Sequence, residues 1–129
     1  MPGRGTAPRN GATLERAVED LVTSLGLRAR RQVKVGRRLW GSVRHIDVVA
    51  TEASTRKALG LECKFQGTAG TAEEKIPSLI TDIEAWPIPG LVVFYGPGFS
   101  DNMRLYLHST GKAVAFDDLE DWLSLFFAL

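Results

Sequence analysis

The chain is 129 residues long, 44% hydrophobic and 24% charged, with one cysteine and a net charge of +1. That is the make-up of one globular domain able to bury a core. It excludes a bilayer-spanning helix, since no apolar run approaches the roughly 20 residues required, and it excludes an internal disulfide, as expected of a cytoplasmic protein.

Met1 to Gly11 is rich in Gly, Pro and Arg and lacks the apolar core of a signal peptide. It reads as a basic flexible tail (1–11) ahead of a single domain (12–129) without repeats. Leu14, Val18, Leu21, Val22 and Leu25 recur at helical spacing, with Thr13 as the expected N-cap and Gly26 as the stop. Glu15 and Glu19 share one face of this helix.

Residues 28–40 form a basic strand, with Arg28, Arg30, Arg31, Lys34, Arg37 and Arg38 set around Val33, Val35, Leu39 and Trp40. Gly36 marks a bulge or bend. Gly41-Ser42 fits a two-residue hairpin turn, and Val43 to Thr51 returns as the second strand. After a turn at Glu52 to Thr55, Arg56 to Gln66 forms the third strand. Gly67 to Gly70 is a small loop without the Lys-Ser/Thr ending of a P-loop. Thr71 and Glu74 match a capping box for a helix carrying Ile76, Leu79, Ile80 and Ile83. Pro77 either kinks that helix or opens it.

Leu91 to Tyr95 is a continuous apolar run, as in a strand buried on both faces. Ser100 caps a short helix with Phe99, Met103, Tyr106 and Leu107, although Leu105 to Leu107 also suit an extended segment. Lys112 to Phe116 is a strand, and Asp117 opens a last helix. The expected order is helix, three-strand antiparallel meander, helix, strand, helix, strand, helix: an α/β fold. The C-terminus, Leu123 to Leu129, holds more apolar surface than one helix face needs, which points to a homodimer.

The polar residues of the third strand carry the chemistry. Alternation puts Leu61, Cys63 and Phe65 on a core face and Glu62, Lys64 and Gln66 on the other. Asp47 lies inside the apolar run Ile46 to Ala50, where an unpaired acid is costly. If the two strands are neighbours, Asp47 stands beside Glu62 and Lys64. Adjacent carboxylates repel, by on the order of 4 kcal/mol at 4 Å with a surface-like dielectric, and a Mg²⁺ or Mn²⁺ ion between them removes that cost. Such an ion activates water and polarises a phosphoryl oxygen, while a lysine orients the water and steadies the growing charge. The backbone carbonyl of Cys63 is a further candidate ligand. Glu15 completes the cluster if the first helix packs across the sheet.

Charge is unevenly distributed. Residues 1–64 hold 13 Lys/Arg and 6 Asp/Glu, whereas residues 65–129 hold 3 and 9. A basic half beside an acidic cluster suits a polyanionic substrate. His45 shares a face with Asp47, and Lys75 is within possible reach of a phosphate. Two distant histidines and one cysteine make no zinc site, and Trp40, Trp86 and Trp122 read as core or interface.

With its Asp47 strand, its Glu62-Cys63-Lys64 strand, the Glu15 helix and this element order, the chain resembles the PD-(D/E)XK nuclease superfamily over nearly all of residues 12–129. The resemblance implies that Asp47 and Glu62 bind a divalent metal, that Lys64 assists the water, that Glu15 is the helical acid of the resolvase-like branch, and that Gln66 is a substrate contact. Ile46 stands where that family's proline often does. The expectation is a metal-dependent DNA endonuclease, structure-directed because no separate base-reading module is evident. Arg28, Arg30, Arg31, Lys34, Arg37, Arg38, Arg44 and Gln66 would contact the nucleic acid. The alternative is a non-catalytic nucleic-acid-binding or assembly module that keeps the fold.

Overall fold

Asn10 starts the first helix. In the computed structural model, which describes residues 7–37, 43–68 and 76–129, the Asn10 side chain accepts the Thr13 N–H at 2.8 Å, and Thr13 Oγ1 accepts the Asn10 N–H at 3.0 Å. This reciprocal cap places Thr13, expected as the N-cap, three residues inside α1 (Gly11–Ser24). Asparagine wins the position because its carbonyl reaches the third N–H from an extended backbone. Asn10 and Gly11, read from the sequence as tail, therefore belong to the helix start. Gly26, with φ +83°, lies just beyond the other end, as expected.

β1 (Arg28–Arg37), β2 (Val43–Thr51) and β3 (Ala58–Phe65) form the antiparallel meander. The register shifts between Lys34 and Gly36, where Gly36 has φ +121°. A second irregularity is unannounced in the sequence. The β1–β2 register steps from Arg31↔Val48 to Val33↔Ile46, passing over Gln32 and Asp47, and Gln32 has φ +50°. That conformation costs a side-chain-bearing residue about 1–2 kcal/mol. It breaks the alternation of β2: Ile46 and Val49 lie in one core layer, Val48 and Ala50 in the other. Asp47 sits at the break.

β3 begins at Ala58 rather than Arg56, because Arg56 (φ +61°) is part of the turn. Glu52 organises that turn, taking the Thr55 N–H at 2.6 Å and the Ser54 and Thr55 hydroxyls at 2.8 Å. These donors, the Thr55 N–H foremost, hold its carboxyl at about 2. The folded value lies below the unfolded one, so the stabilisation is complete above the ordinary carboxylate range and disappears as pH falls from there toward the folded value. Glu52→Gln is expected to remove this part of the acid sensitivity. Urea unfolding of the two proteins, compared at about pH 5 and about pH 2, reads it.

β3 pairs in parallel with β4 (Gly90–Tyr95), and β4 with β5 (Ala113–Ala115), giving a five-stranded sheet in chain order. α1 and α4 (Leu119–Phe126) supply Leu14, Val18, Leu119 and Leu123 to one layer, against Val48, Leu61, Cys63 and Val93. α2 (Ile76–Glu84) and α3 (Asp101–Ser109) supply Ile80, Ile83 and Leu107 to the other, against Ile46, Val92 and Phe94. Leu91 to Phe94 are buried throughout, as the unbroken apolar run requires. The face of β3 that carries Glu62, Lys64 and Gln66 is therefore covered by helices; Glu62 and Gln66 are buried.

Trp86 closes this second layer. A Cβ on Gly60 would lie 2.6 Å from its ring, and one on Gly90 2.4 Å from Ile83. Within α2 as described, Pro77 falls in the first turn, and Leu105 to Leu107 are helical. His108 ends α3 with its ring edge-on to Phe94. A 3-10 turn, Phe116–Asp118, precedes α4, so Asp117 does not open that helix itself. Arg38, Trp40, the Gly41-Ser42 turn, the Thr71/Glu74 capping box and Lys75 lie outside the described residues. Among the described residues, no helix is long and apolar enough to cross a membrane.

Candidate active site

Asp47 lies where β2 and β3 part. Their register runs from Thr51↔Ala58 to Val48↔Leu61 and goes no further. Just beyond, the Cys63 N–H is taken by a side chain: Asp47 Oδ2 accepts it at 2.9 Å. The other oxygen, Oδ1, accepts the Gln32 amide at 3.3 Å. Burial pushes the Asp47 carboxyl above the ordinary carboxylate range, and the nearby Glu15 adds to the rise. The Cys63 N–H, the Gln32 amide and Lys64 act in the opposite direction without cancelling it.

Glu15 reaches this place from α1, which packs across the sheet. Its Oε1 accepts from Arg31 and from Gln32, each at 3.0 Å. Arg31 also approaches Glu19, at 3.8 Å. Glu62 and Lys64 follow on β3, in register with Val92 and Phe94 and so on the α2/α3 side of the sheet. Lys64 is half-buried and close enough to Asp47 to favour its ionised form. The Cys63 thiol points into the α1/α4 layer, where burial raises its pKa well above the ordinary value.

Several basic residues do not stand where the sequence placed them. Arg44 pairs with Asp82 at 2.7 Å and ties β2 to α2. Arg31 is turned toward the acids of α1. Gln66 is buried: its Nε2 donates to the Gly98 carbonyl at 2.9 Å and its own carbonyl accepts the Gly98 N–H at 2.8 Å. It braces the loop after β4 instead of facing outward. Arg28, Arg30 and Lys34 are exposed on β1, and His45, exposed on β2, lies opposite Lys34. No side-chain position is described for Arg37 or Arg38.

Among the described residues, no group of three or more His, Cys, Asp and Glu is arranged to hold a metal ion. The donor set nevertheless fits one of the hard cations. Mg²⁺ is usually held by one or two carboxylates together with substrate oxygens and water, not by a protein cage. A half-buried carboxylate whose ionisation is opposed by a second acid supplies the negative potential that such a cation needs.

A mixed sheet covered by helices on both faces, with an acid at the parting of two central strands and Glu-x-Lys on the next, defines a nuclease-type α/β fold. The sequence model described as the PD-(D/E)XK nuclease superfamily domain matches residues 6–121, and the chain belongs to that superfamily. Its members are generally nucleases that act on nucleic acid and typically use divalent metals. No curated protein matches the sequence. Two solved structures share the fold. One, AF1548, is described as a protein of unknown function; it is 20% identical, with a TM-score of 0.53 over 79% of this chain and 56% of that one. The other, VC1899 from Vibrio cholerae, is 18% identical, with a TM-score of 0.60 over 92% of this chain and 34% of that one. The chain thus spans little more than half of the first and about a third of the second.

Proposed function

We propose that the protein is a Mg²⁺- or Mn²⁺-dependent endonuclease that hydrolyses DNA phosphodiester bonds, with structure-directed cutting as the expected mode. The observation that carries this reading is the Asp47 carboxylate, half-buried at the β2–β3 parting and bonded to the backbone of the Glu62-Cys63-Lys64 strand. In this reading Asp47 and Glu62, with the Cys63 carbonyl and Glu15, would hold the cation. The bound cation supplies electrophilic activation of the phosphoryl group and a more acidic water. Lys64 orients the attacking water and balances charge that accumulates on the phosphate. Water attacks phosphorus, one P–O ester bond breaks, and the leaving oxygen takes up a proton.

Among the described side chains, Arg28, Arg30 and Lys34 are exposed and unoccupied by the acids of α1 and α2, and with Arg37 and Arg38 they would contact the DNA backbone. Replacing any one of them by Ala is expected to lower affinity for all sequences alike and to reduce the salt slope by about 0.9 per lost phosphate contact, read by fluorescence anisotropy over a salt series. A homodimer, formed through the exposed Leu125 and Leu129, is part of the same proposal and is read by sedimentation velocity.

The absence of a three-acid cluster among the described residues favours one second reading, a nucleic-acid-binding module without catalysis. Incubation with labelled duplex, single-stranded and four-way-junction DNA, in Mg²⁺, Mn²⁺ or EDTA, separates the two. Metal-dependent cleavage lost in Lys64→Ala supports the nuclease. Salt-sensitive binding without cleavage of any substrate supports the module.

A further inference from the structure

We propose that Gln32 is a positioning residue of this site: its side-chain amide, aimed by a left-handed backbone, braces Asp47 and Glu15 in a fixed mutual arrangement. The proposal rests on the reading of Asp47 as the acid of the site.

The backbone comes first. Gln32 adopts φ +50° in the middle of a strand, a conformation that a glycine would take without cost. A glutamine in that conformation is explained by what its side chain does. The left-handed kink falls opposite Asp47, where the β1–β2 register passes over both residues, and it turns the amide toward the acids.

The amide comes second. A primary amide nitrogen carries two hydrogens, and Gln32 Nε2 stands 3.0 Å from Glu15 Oε1 and 3.3 Å from Asp47 Oδ1. Two acids that repel each other are held by one neutral donor. Because Asp47 Oδ2 is fixed by the Cys63 N–H at 2.9 Å, the carboxylate is pinned from both sides, by β1 through Gln32 and by β3 through Cys63. The amide brings no charge of its own, so Asp47 keeps its charge for a cation even though Glu15 is already paired. Arg31, the adjacent cation, grips Glu15 and Glu19.

The test uses the full chain with Gln32→Gly and Gln32→Asn. Glycine accepts the backbone and removes the amide; asparagine tolerates the backbone but is one methylene short. Both variants are expected to melt at or above the wild-type temperature. Both should also show faster hydrogen exchange at the Cys63 amide by NMR, because its acceptor is no longer braced. With Mn²⁺ and DNA, kcat is expected to fall on the order of 10–100-fold, as for loss of groups that orient metal ligands, with KM little changed. Wild-type exchange at Cys63 in both variants would overturn the proposal, as would wild-type kcat in Gln32→Gly. If the wild-type protein cuts no substrate, the nuclease reading fails, and the Cys63 exchange rate still decides the role of Gln32.

Discussion

Asp47→Asn is expected to lower DNA cleavage by about 10²–10³-fold or more, the range for deleting one preorganised electrostatic contact to the transition state, while the protein stays folded. Asparagine keeps a side-chain oxygen, so the Cys63 N–H that Asp47 accepts at 2.9 Å retains its partner. What disappears is the charge, together with the acceptor of the Gln32 amide, which then faces an NH2 group. The same substitution is expected to stabilise the protein at neutral pH. Burial holds the Asp47 carboxyl above its unfolded value, so the native state binds this proton more tightly than the unfolded chain. Ionisation therefore costs stability as pH rises from the ordinary carboxylate range through the raised folded value. Asparagine removes that cost, and the gain over wild type should shrink as pH falls back through the same window. Single-turnover cleavage and urea midpoints across pH read both effects. Full cleavage by Asp47→Asn would remove the residue from the catalytic mechanism.

The largest effect on stability is expected from Gly96→Ala. Gly96 has φ +123°, and a Cβ there would lie 2.3 Å from the Gln66 carbonyl oxygen and 2.9 Å from its carbon. Gln66 cannot retreat. Its N–H donates to Tyr95, its carbonyl accepts from Gly98, and its side chain is tied to Gly98 as well. Arg104 fixes the Gly96 carbonyl at 2.8 Å. Backbone strain of about 1–2 kcal/mol and overpacking of about 1–3 kcal/mol together predict a loss of roughly 3 kcal/mol. For a chain of this size, that lowers the melting temperature by on the order of 10 °C. Gly11→Ala is the matched control, since a Cβ there meets nothing within 4 Å. A Gly96→Ala protein melting within about 2 °C of wild type would show that the loop relaxes freely.

What the sequence discloses follows from how local its signals are. The meander, the buried β4 run and the helical stripes are read from periodicity, because each face repeats within a few residues and both core layers confirm it. The Glu62-Cys63-Lys64 strand and Asp47 are legible for the same reason: an acid in an apolar run is conspicuous. Three features are not legible. Asn10 outcompetes Thr13 as the cap because the two side chains bond reciprocally, and a spacing rule that picks one residue misses the exchange. Gln66 shows nothing in one dimension that marks it as buried; its burial depends on the Gly96–Gly98 loop, some thirty residues downstream. Gln32 is the clearest case. Glutamine disfavours the left-handed region, so a sequence offers no reason to expect it there. Arg31 and Arg44 look equivalent to Arg28 and Arg30 until α1 and α2 bring acids to them.

Among the described residues, β1 is an outer strand of the sheet, ten residues long, with one side of its backbone left without a neighbouring strand. Such a margin invites a strand from another molecule, and proteins guard it with charge and with interruptions of the straight run. Here Arg28, Arg30 and Lys34 supply mutual repulsion between copies, and the kinks at Gln32 and Gly36 spoil the geometry that a foreign strand would need. The kinks that shape the acidic centre and the cations proposed to meet DNA thus also guard this edge against strand addition. Neutralising the three cations together should leave a chain prone to aggregate through its own border.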